Sequence, residues 1–211
     1  QASKIAIKDS GVNKEEIDYI ILAHNIGDIS FNSNQVDVLP SIASRVKAGL
    51  EIINPSCVAY DIIFGCPGWL EGVIQASAFI KSKMANTCLV IGSETLSRVL
   101  DKNDRDSMIY ADGAGATIIQ SSNEKGGILS HKTATYTSNY ESSYIYYGNS
   151  NNKNDKKTKY IKMQGRKVYE FALKNVPLAM KQCLNFSNIH INKIKKIFIH
   201  QANQKMDEAI I

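Results

Sequence analysis

The stretch Ala59-Tyr60-Asp61-Ile62-Ile63-Phe64-Gly65-Cys66-Pro67-Gly68-Trp69 decides how this chain is read. Residues 59–64 are short and almost wholly apolar, the pattern of a strand buried on both faces of a mainly parallel sheet. Residues 65–68 set two glycines and a proline around a cysteine, which makes a sharp turn. From 69 to 85 the apolar residues recur at helical spacing, and Pro67 suits a first helical position, where its missing N–H costs nothing. Strand, turn and helix in that order are the building step of an α/β fold with helices on both faces of a sheet.

Cys66 therefore sits at a strand-to-helix turn. Glycines allow a tight backbone and close approach of a substrate. A helix N-terminus favours the thiolate over the thiol, and backbone N–H groups near the sulfur can bind an oxyanion formed when a thioester is attacked. The turn context alone suits a nucleophile and a buried structural cysteine equally. Cys57, Cys88 and Cys183 lie among apolar residues and read as small core residues.

Outward from this turn, residues 2–10 read as a helix closed by Gly11, and Asn13 as a cap. Residues 18–23 and 87–92 read as two more buried strands, and 35–49 as a helix interrupted or started near Pro40. Residues 114–120 and 127–134 read as strands joined by a turn. A polar loop over 136–159, a long helix over 164–184 and a strand over 196–199 follow, and His200-Gln201-Ala202-Asn203 opens a last helix. Functional side chains of open α/β sheets gather at the carboxyl ends of strands. Cys66 and His200 both occupy such ends. His24 does too, and is read as a structural histidine. The glycines of Asp112-Gly113-Ala114-Gly115-Ala116 precede a strand instead of following one and lack the lysine of a phosphate loop, so they read as a tight turn.

Composition narrows the functions. The 211 residues allow one large or two small domains, and 44% hydrophobic with 21% charged residues is the balance of a globular protein. No apolar run approaches the ~18–20 residues that span a bilayer, and residues 1–8 lack the layout of a signal peptide. No membrane association is expected. Four cysteines without a CxxC pair, and histidines scattered at 24, 131, 190 and 200, predict no metal site and a reduced, cytoplasmic protein. The net charge of +5 does not single out nucleic acid, and the five lysines within 149–162 read as a solvated loop. Both ends read as cut inside helices, so the chain is expected to be truncated at each.

The motifs, taken together, resemble one family. The 61–69 segment is similar to the nucleophile turn of the β-ketoacyl-acyl-carrier-protein synthase III family of thiolase-fold condensing enzymes. Tyr110-Ala111-Asp112-Gly113-Ala114-Gly115-Ala116 resembles its GDGAGA segment, Met163-Gln164-Gly165 its M-x-G helix start, and His200-Gln201-Ala202-Asn203 its HQAN segment, all in family order. The resemblance implies a thiolase-like fold of two similar α/β halves in layered helices and sheets, with residues 1–124 in the first half and 125–211 beginning the second. It implies a homodimer that works without a cofactor on acyl-CoA and malonyl-acyl-carrier-protein, in fatty acid biosynthesis. By the same resemblance Cys66 and His200 are catalytic and Arg105 contacts the CoA nucleotide. Asn203 lines the pantetheine channel, Lys205 faces the carrier protein, and Phe31 closes the partner subunit's acyl pocket. The family's catalytic asparagine and late glycine-rich segment have no counterpart here, and Gly-Cys-Pro stands where Ala-Cys-Ala is commoner, which leaves the acyl substrate open. A related synthase of secondary metabolism joining two acyl units, a Cys-His thioester hydrolase or protease, and a catalytically silent partner protein are the other readings. A papain-like enzyme fits poorly, because Pro67 replaces the aromatic that follows its nucleophile.

Overall fold

A computed structural model of the chain describes residues 1–30, 33, 35–124, 126–138, 140–155 and 157–211. Two compact units are present, Gln1–Arg98 with Ala111–Lys125, and Val99–Tyr110 with Gly126–Ile211.

The first unit runs α1 (Ala2–Ser10), β1 (Tyr19–His24), the two-residue strands β2 (Asp28–Ile29) and β3 (Val36–Asp37), α2 (Ile42–Gly49), β4 (Val58–Ile63), α3 (Gly68–Lys81), β5 (Thr87–Thr95) and β6 (Asp112–Gln120). Its sheet has the order β4-β1-β5-β6, with β4 and β5 parallel to β1 and β6 antiparallel to β5. Consecutive residues Ile20, Ile21, Leu22 and Ala23 are all buried, because β1 is central and covered on both sides. One face carries Ile20, Leu22, Leu89 and Ile91 into a core with Ala43, Leu50 and Ile52, against which Ile7 of α1 packs. The other face meets α3, where a Cβ on Gly72 would lie 2.8 Å from Val90 Cγ1 and 3.5 Å from Ile21 Cγ2. The result is a helix–sheet–helix sandwich.

The helix expected to be interrupted or to start near Pro40 runs over Ile42–Gly49, since Pro40 cannot donate an N–H and disfavours helix in the residue before it; Ser41 accepts from Ser44 N at 3.1 Å and starts α2. Two local expectations are corrected here. Pro67 is the cap of α3 and not its first residue, and the helix stops at Lys81. A positive φ of 62° at Lys83 turns the chain there. Asp112 and the glycines after it form the first part of β6 and not a tight turn, pairing Gly92 with Gly115 and Ser93 with Ala114.

The second unit holds β7 (Ile145–Asn149), β8 (Lys159–Met163), α4 (Gly165–Ser187) and α5 (Gln204–Ile210), with β7 and β8 antiparallel. The polar segment 136–159 is therefore partly a strand pair. Tyr136 and Tyr144 both set their rings edge-on to Phe171 of α4. Residues 127–134 and 196–199, expected as strands, form no ladder among the described residues. Apolar character alone does not make a strand; a neighbouring edge must accept its N–H and C=O groups. Phe198 is accordingly 89% exposed. Lys162, expected in a solvated loop, is buried on β8.

Candidate active site

The nucleophile turn follows directly from β4. Phe64 N donates to His24 O at 3.0 Å, extending the pairing of β4 with β1 by one residue, and Gly68 N donates to Gly65 O at 2.8 Å to close the turn around Cys66. Gly68 is required by proximity: an added Cβ would lie 2.9 Å from Ala23 Cβ and 3.2 Å from Phe64 Cβ. This glycine lets the first turn of α3 press onto the end of β1. Gly92 makes room in the same way for the stem of Trp69, whose Cβ lies 3.1 Å from where a side chain would start. Cys66 is held one residue before the cap of α3 and is exposed. First-turn amides of a helix have no intrahelical acceptor, and the Cys66 thiol lies at this end of α3.

The other cysteines differ in kind. Cys57 and Cys88 are buried and Cys183 is half-buried. Burial raises the Cys57 thiol, partly offset by Lys47, and pushes the Cys88 thiol up to about 12, with the Asp18 charge adding to it. A thiol held protonated and covered is a poor nucleophile.

His24 is a buried strand-end histidine, as expected, and its partner was not foreseen. Its Nε2 lies 3.2 Å from Asp61 Oδ2, and the two oxygens of Asp61 also accept from Ile42 N at 2.8 Å and Ala43 N at 2.7 Å. A charged residue inside the otherwise apolar run 59–64 was the signal for this role. Asp112 of the glycine-rich segment accepts both the hydroxyl and the amide of Ser97, and these hydrogen bonds hold its carboxyl below the usual range.

The remaining candidates lie in the second unit, apart from Phe31, which falls outside the described residues. His200 is exposed and precedes α5. Asn203 caps α5 through its side-chain oxygen, which accepts from Met206 N at 3.3 Å, and Lys205 is exposed in the first turn of that helix. Arg105 is exposed at the start of a short 3-10 turn, Arg105–Ile109. Met163-Gln164-Gly165 joins β8 to α4, with Gln164 as the cap residue. Sequence reasoning missed a buried cluster beside Arg105, formed by Asp101, Asp104 and Lys162. Among the described residues no group of histidines, cysteines and carboxylates could hold a metal ion, and no helix is long and apolar enough to cross a membrane.

Residues 60–137, which contain this turn and the glycine-rich strand, match the family model of 3-oxoacyl-[acyl-carrier-protein (ACP)] synthase III. Over its whole length the chain is 36% identical to the β-ketoacyl-[acyl-carrier-protein] synthase III of Porphyra umbilicalis, covering 63% of that relative. It is 32% identical to the enzyme of the same name from Ehrlichia ruminantium strain Gardel, again over its full length and 62% of the relative. The crystal structure of 3-oxoacyl-[acyl-carrier-protein] synthase III from Aquifex aeolicus superimposes with a TM-score of 0.78 at 28% identity, covering 100% of this chain and 62% of that one. In sequence and in fold the chain is similar to the synthase III family. The fold is thiolase-like, and the chain spans a little under two thirds of the length of these relatives. The one exposed cysteine among the described residues occupies the strand-to-helix turn inside the matched region.

Proposed function

We propose that this protein is a condensing enzyme of the 3-oxoacyl-acyl-carrier-protein synthase III type, acting in fatty acid biosynthesis. The observation that carries the reading is Cys66, exposed at the turn from β4 into α3 while Cys57 and Cys88 are buried.

The Cys66 thiolate attacks the carbonyl carbon of an acyl-CoA thioester. The negative charge that develops on the oxygen is met by backbone donors at the helix start, the carbon–sulfur bond to CoA breaks, and CoA leaves as the thiolate, which takes a proton from water. Malonyl-acyl-carrier-protein then loses CO2, and the enolate carbon attacks the acyl-Cys66 carbonyl. A 3-oxoacyl-carrier product forms and the Cys66 thiolate is released. His200 donates a hydrogen bond to the enolate oxygen of the malonyl thioester. Arg105 contacts the CoA phosphates, Asn203 faces the pantetheine arm, Lys205 meets the acidic carrier protein, and Phe31 closes the partner's acyl pocket in a homodimer. No cofactor enters this scheme. An exposed thiol nucleophile has to stay reduced, which suits the cytoplasm.

Separating the two chemical steps in the full-length protein tests this reading. His200→Ala should still take up an acyl group on Cys66, read by intact mass, while condensation falls about 10²–10³-fold, the usual loss for one preorganised oxyanion donor. Cys66→Ala should abolish loading. If His200→Ala blocks loading as completely as Cys66→Ala does, His200 is a general base for the thiol, and a thioester hydrolase replaces the condensing enzyme.

A further inference from the structure

Lys162 and Asp101 are among the most buried charged residues described, at 7% and 1% exposure. Lys162 Nζ lies 2.8 Å from Asp101 Oδ2, 2.7 Å from Asp104 Oδ2 and 3.1 Å from Asn151 Oδ1, so each of its three N–H donors has an acceptor. Asp101 accepts in addition from Asn151 N at 2.6 Å, from Asn103 N at 3.0 Å and from the Asn103 side-chain amide at 3.2 Å. Asp104 is fixed at both ends: its N–H donates to Asp101 O at 2.9 Å, and its Oδ1 accepts from Asp106 N at 3.1 Å, capping the turn that Arg105 opens. Burial by itself raises the Asp101 carboxyl and lowers the Lys162 ammonium, and the contacts between them reverse both shifts.

A buried ion cluster is a weak way to gain stability, because well-packed apolar side chains of like volume often do as well or better. This cluster does two things an apolar one would not. It pins the backbone from which Arg105 projects, so the exposed guanidinium loses less freedom when it meets an anion. It also pairs an ammonium with Asp104, the carboxylate next to Arg105 in the chain, whose charge would otherwise compete with a phosphate for the guanidinium.

We propose that Lys162 is a positioning residue for the CoA nucleotide: through Asp104 it holds the turn that presents Arg105 to the phosphates. The proposal rests on the reading of Arg105 given above. Lys162 touches no substrate, and its effect is confined to thioesters that carry the nucleotide.

The test is acyl loading of the full-length protein with acetyl-CoA and with acetyl-N-acetylcysteamine, a thioester lacking the nucleotide. Arg105→Ala and Lys162→Gln should each raise KM for acetyl-CoA about tenfold or more, the loss of roughly one charge-assisted contact. Lys162→Gln should leave kcat/KM for the short thioester within about twofold, far below the tenfold that 1.4 kcal/mol represents, and Arg105→Ala should lose much more on acetyl-CoA than on the short thioester. The double variant should be no worse than Arg105→Ala alone, since both remove one interaction, and Lys162→Arg should recover part of the loss. Equal losses on the two thioesters in Lys162→Gln, with Arg105→Ala still selective, would reduce Lys162 to a fold-stabilising residue. Additive losses in the double variant would overturn the coupling in the same way. If Arg105→Ala itself shows no selectivity, the nucleotide reading of Arg105 fails and the Lys162 proposal with it. Should Lys162→Gln not fold, Asp104→Asn, which keeps the Lys162–Asp101 pair, decides by the same ratio.

Discussion

His24 Nε2 lies 3.2 Å from Asp61 Oδ2 at the carboxyl end of the sheet, with His24 only 4% exposed. An ionised carboxylate has only acceptors to offer, so Nε2 carries the proton of this pair. The same carboxylate receives the first two amides of α2, and Ser41 receives the third. One aspartate on β4 thus ties together the end of β1, the start of α2 and the strand that leads five residues later to Cys66.

Removing that carboxylate should be felt throughout the first unit. Asp61→Ala leaves two helix-start amides and a buried imidazole without their acceptor, and should cost about 2–4 kcal/mol. Asp61→Asn keeps one acceptor oxygen and should cost less. Urea unfolding monitored by circular dichroism reads both. A change below about 0.5 kcal/mol for Asp61→Ala, the level of an ordinary surface substitution, would show the network to be incidental.

Alkylation separates the cysteines. Cys66 should react first with iodoacetamide at neutral pH, because it is exposed while Cys57 and Cys88 are covered and their thiols held protonated. Peptide mapping of a brief exposure gives the order. Labelling of Cys57 or Cys88 ahead of Cys66 would remove Cys66 as the nucleophile.

Two helical glycines should respond oppositely to alanine. Gly72 faces Val90 Cγ1 at 2.8 Å from a built Cβ, whereas Gly49 has nothing within 4 Å. Both gain helix propensity, up to ~1 kcal/mol. Only Gly72→Ala also over-packs the contact between α3 and the sheet, at about 1–3 kcal/mol. Gly72→Ala should therefore be the less stable variant by that margin in thermal melts. Equal melting temperatures would mean that α3 is free to shift away from β5.

The buried cluster predicts an acid-dependent loss of stability. The Asp101 carboxyl is held well below its ordinary value in the folded chain, since the hydrogen bonds from Lys162, Asn151 and Asn103 outweigh the opposing effect of burial. A depressed folded value means that the contribution is complete above the unfolded pKa and is lost as pH falls toward the folded one. The stability gap between the wild type and Asp101→Asn should be constant near neutrality and shrink by about 1.4 kcal/mol per pH unit below ~4. Urea midpoints from pH 7 to 3 measure it. A gap independent of pH would place the Asp101 contribution in packing and not in charge.

The sequence by itself determined the local steps of this fold. Period and composition were enough for β1, β4, β5 and most of α3, because a short continuous apolar run or a 3.6-residue apolar stripe can bury itself in few ways. The glycines and proline around Cys66 marked the turn, since their backbone restrictions act within a few residues, and the four motifs in order carried the resemblance to the synthase III family. Tertiary structure decided what depends on partners distant in the chain. Residues 127–134 and 196–199 have strand-like composition but no ladder among the described residues, because pairing belongs to two segments and not to one. Gly68 and Gly72 matter through Ala23 and Val90, some 45 and 18 residues before and after them, a closeness that no local pattern records. Lys162 looks from its neighbours like one more solvated lysine; only the arrival of Asp101 and Asp104, some sixty residues earlier in the chain, provides the charges that let an ammonium leave water.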